Sequence, residues 1–135
     1  MKYLLDTNTC IAYLNGRAVG VRRRLQGLPP SEVTLCSVVK AELLYGARKS
    51  TNPPVVLAKL QRFFAPFTSL PFDDAAAQAY GTIRDDLERV GRPIGPNDLM
   101  IAAIALAGGL TLVTHNTGEF QRVPGLTIGD WEASP

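Results

Sequence analysis

Four acidic residues lie where the sequence predicts the end of a strand or the start of a helix. Asp6 directly follows a short apolar run, and Glu119 follows another near the C-terminus. Asp98 begins the most apolar helical segment, and Glu42 lies about one turn into a helix that follows a strand. In a parallel sheet with helical crossovers, strand C-termini and helix starts share one edge. The four carboxylates are therefore predicted to converge at that edge.

Carboxylates gathered in this way suit a hard cation. Oxygen ligands without histidine or cysteine are the set that Mg2+ or Mn2+ prefers and that zinc does not. Without an ion the negative charges repel one another, and at least one carboxyl group keeps its proton. The residue types thus predict a Mg2+ site in which Mn2+ can substitute.

Simpler structural explanations exist for the same residues. Asn97 and Asp98 suit the start of a helix, where free N–H groups and the helix dipole stabilise a carboxylate. Asn116 and Glu119 have the spacing of a capping box, with Asn116 as the N-cap and Glu119 reaching back to it. Glu42 could be a charge at the border of an amphipathic face. Each residue alone is ambiguous, and the functional interpretation depends on all of them together.

The apolar pattern predicts alternating strands and helices. Strands are expected at residues 3–5, 33–36, 67–70, 110–114 and 126–128. Helices are expected at residues 9–14, 19–26, 37–49 and 55–65, from the N-cap pair Asp73-Asp74 to Gly91, and at residues 98–107, which are apolar on every side. Such alternation is typical of βαβ units and a sheet covered on both faces. The predicted fold class is α/β, in three α/β/α layers around a mostly parallel sheet of four to five strands.

Length and composition predict one soluble domain spanning residues 1–135. A chain of 135 residues with 46% hydrophobic and 19% charged residues fits a single hydrophobic core. Cys10 and Cys36 provide neither a disulfide framework nor metal-ligand spacing, which favours the reducing cytoplasm. The longest apolar stretch, residues 99–113, is shorter than the roughly 20 residues that a membrane span requires. No membrane partner is expected.

The net charge of +2 is too small to identify a partner. Its distribution is more informative, because a basic surface around an acidic pocket would attract a phosphate backbone. Solvated helix faces are the simpler explanation of the same residues. The basic candidates are Arg22, Arg23, Arg24, Arg48, Lys49, Lys59, Arg62, Arg84, Arg89 and Arg92.

Several ordered motifs resemble the PIN-domain ribonucleases, and most closely the VapC toxins of bacterial toxin–antitoxin modules. The resemblance covers nearly the whole chain. It rests on LDTN at residues 5–8, SVVKAELLYG at 37–46, GRPIGPND at 91–98, LVTHNTGEF at 112–120 and GDW at 129–131. Any one of these segments is weak evidence, but the ordered set is specific.

The resemblance implies a metal-dependent endoribonuclease and assigns roles to particular residues. Asp6, Glu42 and Asp98 match the three acidic metal ligands of the family, and Glu119 matches a fourth, more variable acidic position. Thr7 or Ser37 would orient substrate or a water molecule. Asn116 stands where many members carry aspartate, so it would position substrate without adding charge. Gly118 replaces a basic residue that is common in a similar subgroup.

The implied reaction is metal-assisted in-line hydrolysis of an RNA phosphodiester. One or two Mg2+ ions would lower the pKa of bound water and stabilise charge on the attacking and leaving oxygens. The products would carry a 5'-phosphate and a 3'-hydroxyl. Similarity to the enterobacterial type of VapC toxin suggests the anticodon loop of a tRNA as the target.

The resemblance also implies protein partners. A cognate VapB-type antitoxin would wrap the toxin with its C-terminal segment and place a basic residue in the acidic pocket. Toxins of this group usually form homodimers. The candidate contacts for the antitoxin and for the dimer are exposed apolar residues near Ile11, Tyr13, Leu14, Phe63 and Phe64.

Two other functions fit parts of the pattern. An aspartate after an apolar strand also occurs as the nucleophile of haloacid-dehalogenase phosphatases, but those enzymes need a second aspartate two residues later, where this chain has Asn8. A catalytically silent PIN-like module that binds RNA or protein is the non-enzymatic alternative. Such modules usually lack one or more of the carboxylates, all of which are present here.

Overall fold

A computed structural model describes residues 1–133 and shows one five-stranded sheet. Its strand order is β3-β2-β1-β4-β5, and each neighbouring pair is parallel. The predicted α/β class and the five strands are confirmed. The strands are β1 (Tyr3–Leu5), β2 (Val33–Cys36), β3 (Thr68–Leu70), β4 (Thr111–Val113) and β5 (Ile128–Gly129).

Helices connect these strands and cover the sheet in three α/β/α layers. Two of them, α4 and α6, begin at prolines that lie before the predicted starts, because proline is tolerated in the first turn of a helix. The helices are α1 (Thr7–Leu14), α2 (Val19–Gly27), α3 (Ser37–Arg48), α4 (Pro53–Phe64), α5 (Asp74–Arg89), α6 (Pro96–Ala107) and α7 (Thr117–Phe120), with a 3-10 turn at Pro30–Glu32.

The central strand β1 marks the point where the strand order reverses. From β1 the chain moves outward through β2 to β3, and it then returns to the other side of β1 for β4 and β5. The Asp6 N–H donates to the Val113 carbonyl at 3.0 Å, and the Thr9 hydroxyl donates to the same oxygen at 3.2 Å. Open α/β sheets bind ligands beyond the C-terminal ends of the strands at such a reversal. Asp6 lies there.

Helix α6 is buried along most of its length, as its all-round apolar sequence predicts. Leu99 and residues 101–105 are buried. Gly109 follows the helix with a φ of +64°, a left-handed conformation that glycine adopts without strain. Asp98 occupies the first turn of this rigid helix, so its position relative to the sheet is fixed by core packing.

Capping residues decide where two other helices begin. Asp73 accepts a hydrogen bond from the Ala76 N–H at 2.9 Å and is the N-cap of α5, as predicted. Asp6 accepts from the Thr9 N–H at 2.8 Å and is the N-cap of α1. Helix α1 therefore begins at Thr7, two residues before the predicted start. Asp6 is both a helix cap and a residue of the sheet edge.

The C-terminal GDW segment packs onto the N-terminal strand. The Trp131 side chain is 2% exposed and makes an edge-to-face contact with Tyr3, with ring centroids 5.2 Å apart. The Arg24 guanidinium lies 5.6 Å from the Trp131 ring. These contacts hold the end of β5 close to β1 and α2.

None of the helices formed by residues 1–133 is long and apolar enough to cross a membrane.

Because Ile101 is fully buried in α6, shortening it should destabilise the fold on which Asp98 is mounted. We expect Ile101→Ala to lower the free energy of unfolding by about 2 to 5 kcal/mol and Ile101→Val by about 0.5 to 1.5 kcal/mol. Val55→Ala, at a side chain that is 60% exposed, is the matched control and should change it by less than about 0.5 kcal/mol. Urea unfolding followed by circular dichroism measures all three, and equal effects at the two positions would contradict a buried α6.

Candidate active site

Asp6 is the most buried of the predicted site carboxylates, at 4% exposed. Burial raises its pKa, because a charged carboxylate loses its hydration. Hydrogen bonds from Thr114 and Thr9 lower the pKa in part, and the nearby charge of Glu42 raises it further. The balance leaves the pKa of Asp6 above its usual value. The site thus contains an aspartate that gains from a cation or a proton.

Glu42 is half-buried on α3 and is held by two donors from other helices. The Thr7 hydroxyl, at the start of α1, donates to Glu42 Oε1 at 2.6 Å. The Asn97 amide, at the start of α6, donates to Glu42 Oε2 at 3.4 Å. These bonds join three helices at the edge of the sheet. They also confirm that Glu42 points into a shared polar site.

Asp98 and Glu119 face each other from α6 and α7. The pKa of Asp98 is raised to about 6 by burial first, and then by the charges of Glu119, Glu42 and Asp6. A hydrogen bond with Glu119 stabilises the protonated form of Asp98 and contributes to the rise. Like charges that influence one another in this way lie close together. Asp98 therefore lies within electrostatic range of the other three carboxylates, and we call Asp6, Glu42, Asp98 and Glu119 the acidic cluster.

Glu119 is oriented by two donors, one at the start of α7 and one in the loop before α6. The Asn116 amide donates to Glu119 Oε2 at 2.7 Å, and the Gly95 N–H donates to Oε1 at 3.3 Å. The Arg122 guanidinium donates to the Pro93 carbonyl at 3.3 Å, which fixes the loop before α6 against the end of α7. The stiff, proline-rich loop therefore positions Glu119 as well as Asp98.

The capping box that the spacing of Asn116 and Glu119 allows does not form, although Asn116 is the N-cap residue of α7. Asn116 precedes α7, but its side chain makes no capping bond to the helix. The Asn116 N–H instead donates to the Thr114 hydroxyl at 3.0 Å. Glu119 is thus free to turn toward the acidic cluster, because Gly95 and Asn116 satisfy its oxygens in place of the helix N-terminus.

The structure separates the two hydroxyl residues proposed to orient substrate or water. Thr7 contacts Glu42 directly. Ser37 is exposed, and its hydroxyl makes a long 3.5 Å bond to the Leu70 carbonyl, with no bond to the acidic cluster. Its role in substrate positioning stays a prediction.

His115, the single histidine of the chain, lies at the exposed rim of the same sheet edge. Its Nδ1 is 3.0 Å from Asp130 Oδ2. The hydrogen bond with Asp130 and the charges of Asp130, Glu132 and Asp6 raise the pKa of His115. The interaction with Asp6 shows that His115 lies within electrostatic range of the acidic cluster.

An open cleft of about 550 Å³ lies beside the acidic cluster. Asn97 connects the cleft to Asp98, its neighbour in sequence, through the bond to Glu42. The cleft has polar and apolar walls. We call it the outer cleft, and its lining residues are Thr7, Asn8, Ile11, Ala41, Glu42, Tyr45 and Asn97.

Among residues 1–133, no group of three or more His, Cys, Asp or Glu side chains is already arranged as a metal site. Glu42 instead accepts hydrogen bonds from Thr7 and Asn97, and Glu119 accepts one from Asn116.

Two of the predicted partner contacts are wrong. Phe63 and Phe64 are only 8% and 7% exposed, so they are core residues and not surface ones. The ring of Phe63 packs against Tyr13 at 5.5 Å between centroids. Ile11, Tyr13 and Leu14 are partly buried and pack against the core with part of their surface still accessible.

Part of the predicted basic surface is already used in ion pairs along α5. Arg84 pairs with Glu88 at 2.9 Å, and Arg89 pairs with Asp85 at 3.0 Å. These four residues form two bonds between neighbouring turns of one helix, as the simpler explanation of solvated helix faces predicts.

Three supporting residues of the site were missed by the sequence analysis. Asn97 donates to Glu42, the Gly95 N–H donates to Glu119, and Thr114 bonds to the Asp6 carboxylate. Each is adjacent or near to a predicted residue along the chain. Only the tertiary arrangement shows which carboxylate each of them contacts.

The fold and the acidic cluster together define a known class of protein. The sequence profile of the PIN domain matches residues 3–126. The chain therefore belongs to the PIN-domain family. This membership replaces the haloacid-dehalogenase alternative, in agreement with Asn8 at the position where those enzymes need aspartate.

Relatives within this family confirm the resemblance to VapC proteins. The chain is 44% identical over 131 residues to the tRNA(fMet)-specific endonuclease VapC of Shigella flexneri, covering 97% of this chain and 98% of the relative. It is 37% identical over 133 residues to ribonuclease VapC2 of Rickettsia felis, covering 98% and 99%.

Solved structures agree with the sequence relatives. The DNA-bound VapBC of Salmonella typhimurium contains a chain that superposes with a TM-score of 0.92 at 42% identity, covering 97% of this chain and 98% of that one. VapBC2 of Rickettsia felis, bound to a DNA fragment from its promoter, gives a TM-score of 0.90 at 36% identity, covering 97% and 99%.

The raised pKa of Asp98 has a consequence for stability. A carboxyl group with a folded pKa of about 6 and an ordinary value of 3.8 opposes folding above pH 6, and this opposition disappears as the pH falls through 6 toward 3.8. In buffer with EDTA at pH 8, we expect Asp98→Asn to raise the free energy of unfolding by about 1 kcal/mol after solvent screening, roughly 3 to 4 °C in Tm. At pH 4 the gain should be nearly absent.

Asp85→Asn, on the exposed face of α5, is the control and should alter stability by less than about 0.5 kcal/mol at either pH. Thermal unfolding followed by circular dichroism gives the comparison. An Asp98→Asn protein that is less stable than the wild type at pH 8 would show that the neighbouring carboxylates do not oppose Asp98.

Proposed function

We propose that this protein is the ribonuclease toxin of a toxin–antitoxin pair, and that it hydrolyses RNA phosphodiesters with a divalent ion at the acidic cluster. The observation that carries the proposal is the grouping of these acidic residues at the strand reversal, where burial first, and then the charges of Glu119, Glu42 and Asp6, raise the pKa of Asp98 to about 6. Four carboxylates that oppose one another at a strand reversal form a site that gains from a cation. The ribonuclease and endonuclease names of the VapC relatives support the same activity.

The donor set fits Mg2+, or Mn2+ in its place. Asp6, Glu42, Asp98 and Glu119 offer only oxygen ligands, as hard divalent ions prefer. These four side chains would hold the ion, whose positive charge would offset the repulsion among them. When bound, the ion supplies the Lewis acidity that activates water at neutral pH and offsets charge on the scissile phosphate.

The chain's own residues orient the acidic cluster. Thr7 and Asn97 hold the two oxygens of Glu42, and Asn116 and the Gly95 N–H hold those of Glu119. In the proposed reaction a hydroxide attacks phosphorus in line, the bond from phosphorus to the 3'-oxygen breaks, and the 3'-oxygen takes up a proton. No side chain needs to form a covalent bond with substrate. Thr7, Asn116 and Ser37 are the residues that we propose to position the phosphate.

A tRNA anticodon loop is the substrate that we propose. The Shigella flexneri relative, 44% identical to this chain, is called a tRNA(fMet)-specific endonuclease. Unpaired loop bases are the parts of RNA that proteins read most directly. The initiator tRNA is therefore the first substrate to test.

Removing the charge of one ligand should abolish cleavage while the fold remains. We expect Asp6→Asn and Asp98→Asn each to reduce the cleavage rate of tRNA in Mg2+ by at least about 100-fold, because each removes a metal ligand and transition-state charge stabilisation. Denaturing gel electrophoresis of tRNA after incubation with purified protein measures the rate. Full activity in either variant would exclude that residue from the site.

Asp73→Asn is the matched control, because asparagine caps α5 as well as aspartate does. It should cleave at the wild-type rate. Excess EDTA should stop the wild-type enzyme, and added Mg2+ should restore it. If the protein binds RNA tightly but shows no cleavage that EDTA stops, the result would instead support the catalytically silent PIN-like binding module.

A cognate VapB-type antitoxin is the proposed partner, and we propose that the toxin forms a homodimer through Ile11, Tyr13 and Leu14. The solved structures that resemble this chain include VapBC complexes. An arginine or lysine of the antitoxin would pair with the acidic cluster in place of the metal. Light scattering during gel filtration measures the molar mass of the toxin. The mass of a monomer at micromolar concentration would contradict the proposed homodimer.

The ion pair predicts how toxin variants bind the antitoxin. We expect Glu42→Gln to weaken binding by at least about tenfold, because a buried basic side chain would lose a charged partner. Isothermal titration calorimetry with the purified antitoxin measures this, with Asp85→Asn as the control. Equal affinities for the wild type and Glu42→Gln would place the basic residue elsewhere.

A further inference from the structure

Tyr45 is a large aromatic side chain left 63% exposed in the wall of the outer cleft. It lies on α3, three residues after Glu42, a spacing that puts the two side chains on the same face of the helix. The Cβ atoms of such a pair are about 5 to 6 Å apart. A base stacked on Tyr45 would therefore belong to a nucleotide next to the phosphate held at the acidic cluster.

A basic residue accompanies the Tyr45 ring. Lys49, at the end of α3, places its ammonium nitrogen 5.4 Å from the ring centroid. This cation–π contact orients the ring and places a positive charge over one of its faces, so a base would stack on the opposite face. Phe72 provides a contrast, because it is 36% exposed and packs edge-to-face against Tyr80, with centroids 5.9 Å apart. Phe72 does not line the outer cleft.

The remaining walls of the outer cleft suit a nucleotide. Asn8 carries an amide that can both donate to and accept from a base edge, and the oxygens of Thr7 and Asn97, which donate to Glu42, can still accept. A flat face, a nearby cation and amide groups are the features by which proteins hold unpaired bases.

We propose that Tyr45 and Lys49 form a stacking platform for one unpaired RNA base beside the scissile phosphate, with Lys49 contacting the phosphate of the stacked nucleotide. This inference rests on the proposed function, because it adds a base-binding subsite to the same nuclease site. It also gives a physical reason for cleavage in loops, since a base within a duplex cannot leave its neighbours to stack on Tyr45.

The test measures RNA binding in full-length protein that carries Asp98→Asn to prevent cleavage. The probe is an RNA hairpin whose loop bases are replaced one at a time by 2-aminopurine, which is quenched when it stacks. Tyr45→Ala should weaken binding by roughly 5- to 100-fold, the equivalent of one base–aromatic stack, and should remove the quenching at one loop position. Tyr45→Phe keeps the ring and should stay within about twofold of the parent.

A matching change in the RNA identifies the contact. Replacing the base whose quenching depends on Tyr45 with an abasic nucleotide should weaken RNA binding by the parent as much as Tyr45→Ala does. In the Tyr45→Ala protein, the same abasic nucleotide should not weaken RNA binding any further. Phe72→Ala, an exposed aromatic outside the outer cleft, is the control and should bind as the parent does. Circular dichroism confirms that each variant is folded.

Three outcomes would overturn the platform. Tyr45→Ala could bind RNA as tightly as the parent does, or the abasic substitution could weaken RNA binding by Tyr45→Ala as much as it weakens binding by the parent. Tyr45→Ala could also weaken binding of the antitoxin and leave binding of RNA unchanged. Failure of the proposed function is distinguishable, because it would appear as wild-type protein that neither cleaves nor binds RNA in Mg2+. Loss of the Tyr45 effect while the wild type still cleaves would reject only the platform.

Discussion

Repulsion among the four carboxylates is the constraint on which the rest of the site depends. Asp6 is buried and its pKa is raised, and the pKa of Asp98 is raised to about 6. The ionised form of each carboxyl group is therefore less stable than it would be in water. The donors that hold Glu42 and Glu119 come from three segments of the chain. Thr7, Asn97, Asn116 and the Gly95 N–H each satisfy a carboxylate oxygen. The site is stable because packing elsewhere offsets this repulsion.

The scaffold concentrates that packing directly behind the site. Helix α6 is buried along most of its length, and it carries Asp98 in its first turn. The strand reversal between β1 and β4 brings the end of one strand against the end of the other, with Asp6 bonded to Val113. The same topology therefore gives both a well-packed core and a sheet edge at which carboxylates repel one another.

On the proposed function, the same repulsion explains both activity and inhibition. A site that gains from positive charge accepts a divalent ion during catalysis and a basic side chain from an antitoxin at other times. The two states would compete for the same carboxylate oxygens. The outer cleft then adds recognition, because Tyr45 and Lys49 offer a contact that does not depend on the cluster's charge.

The sequence alone determined the α/β class, the five strands and the four carboxylates, because apolar periodicity and strand-end position are local properties. Tertiary structure decided the contacts. Asn116 turned from a predicted helix cap into a donor for Glu119 because the loop before α6 lies beside α7. Phe63 and Phe64 turned from predicted surface residues into core, since burial depends on which elements pack together. Thr7 and Ser37 have similar side chains, and only their neighbours in space distinguish the residue that holds Glu42 from the one that does not.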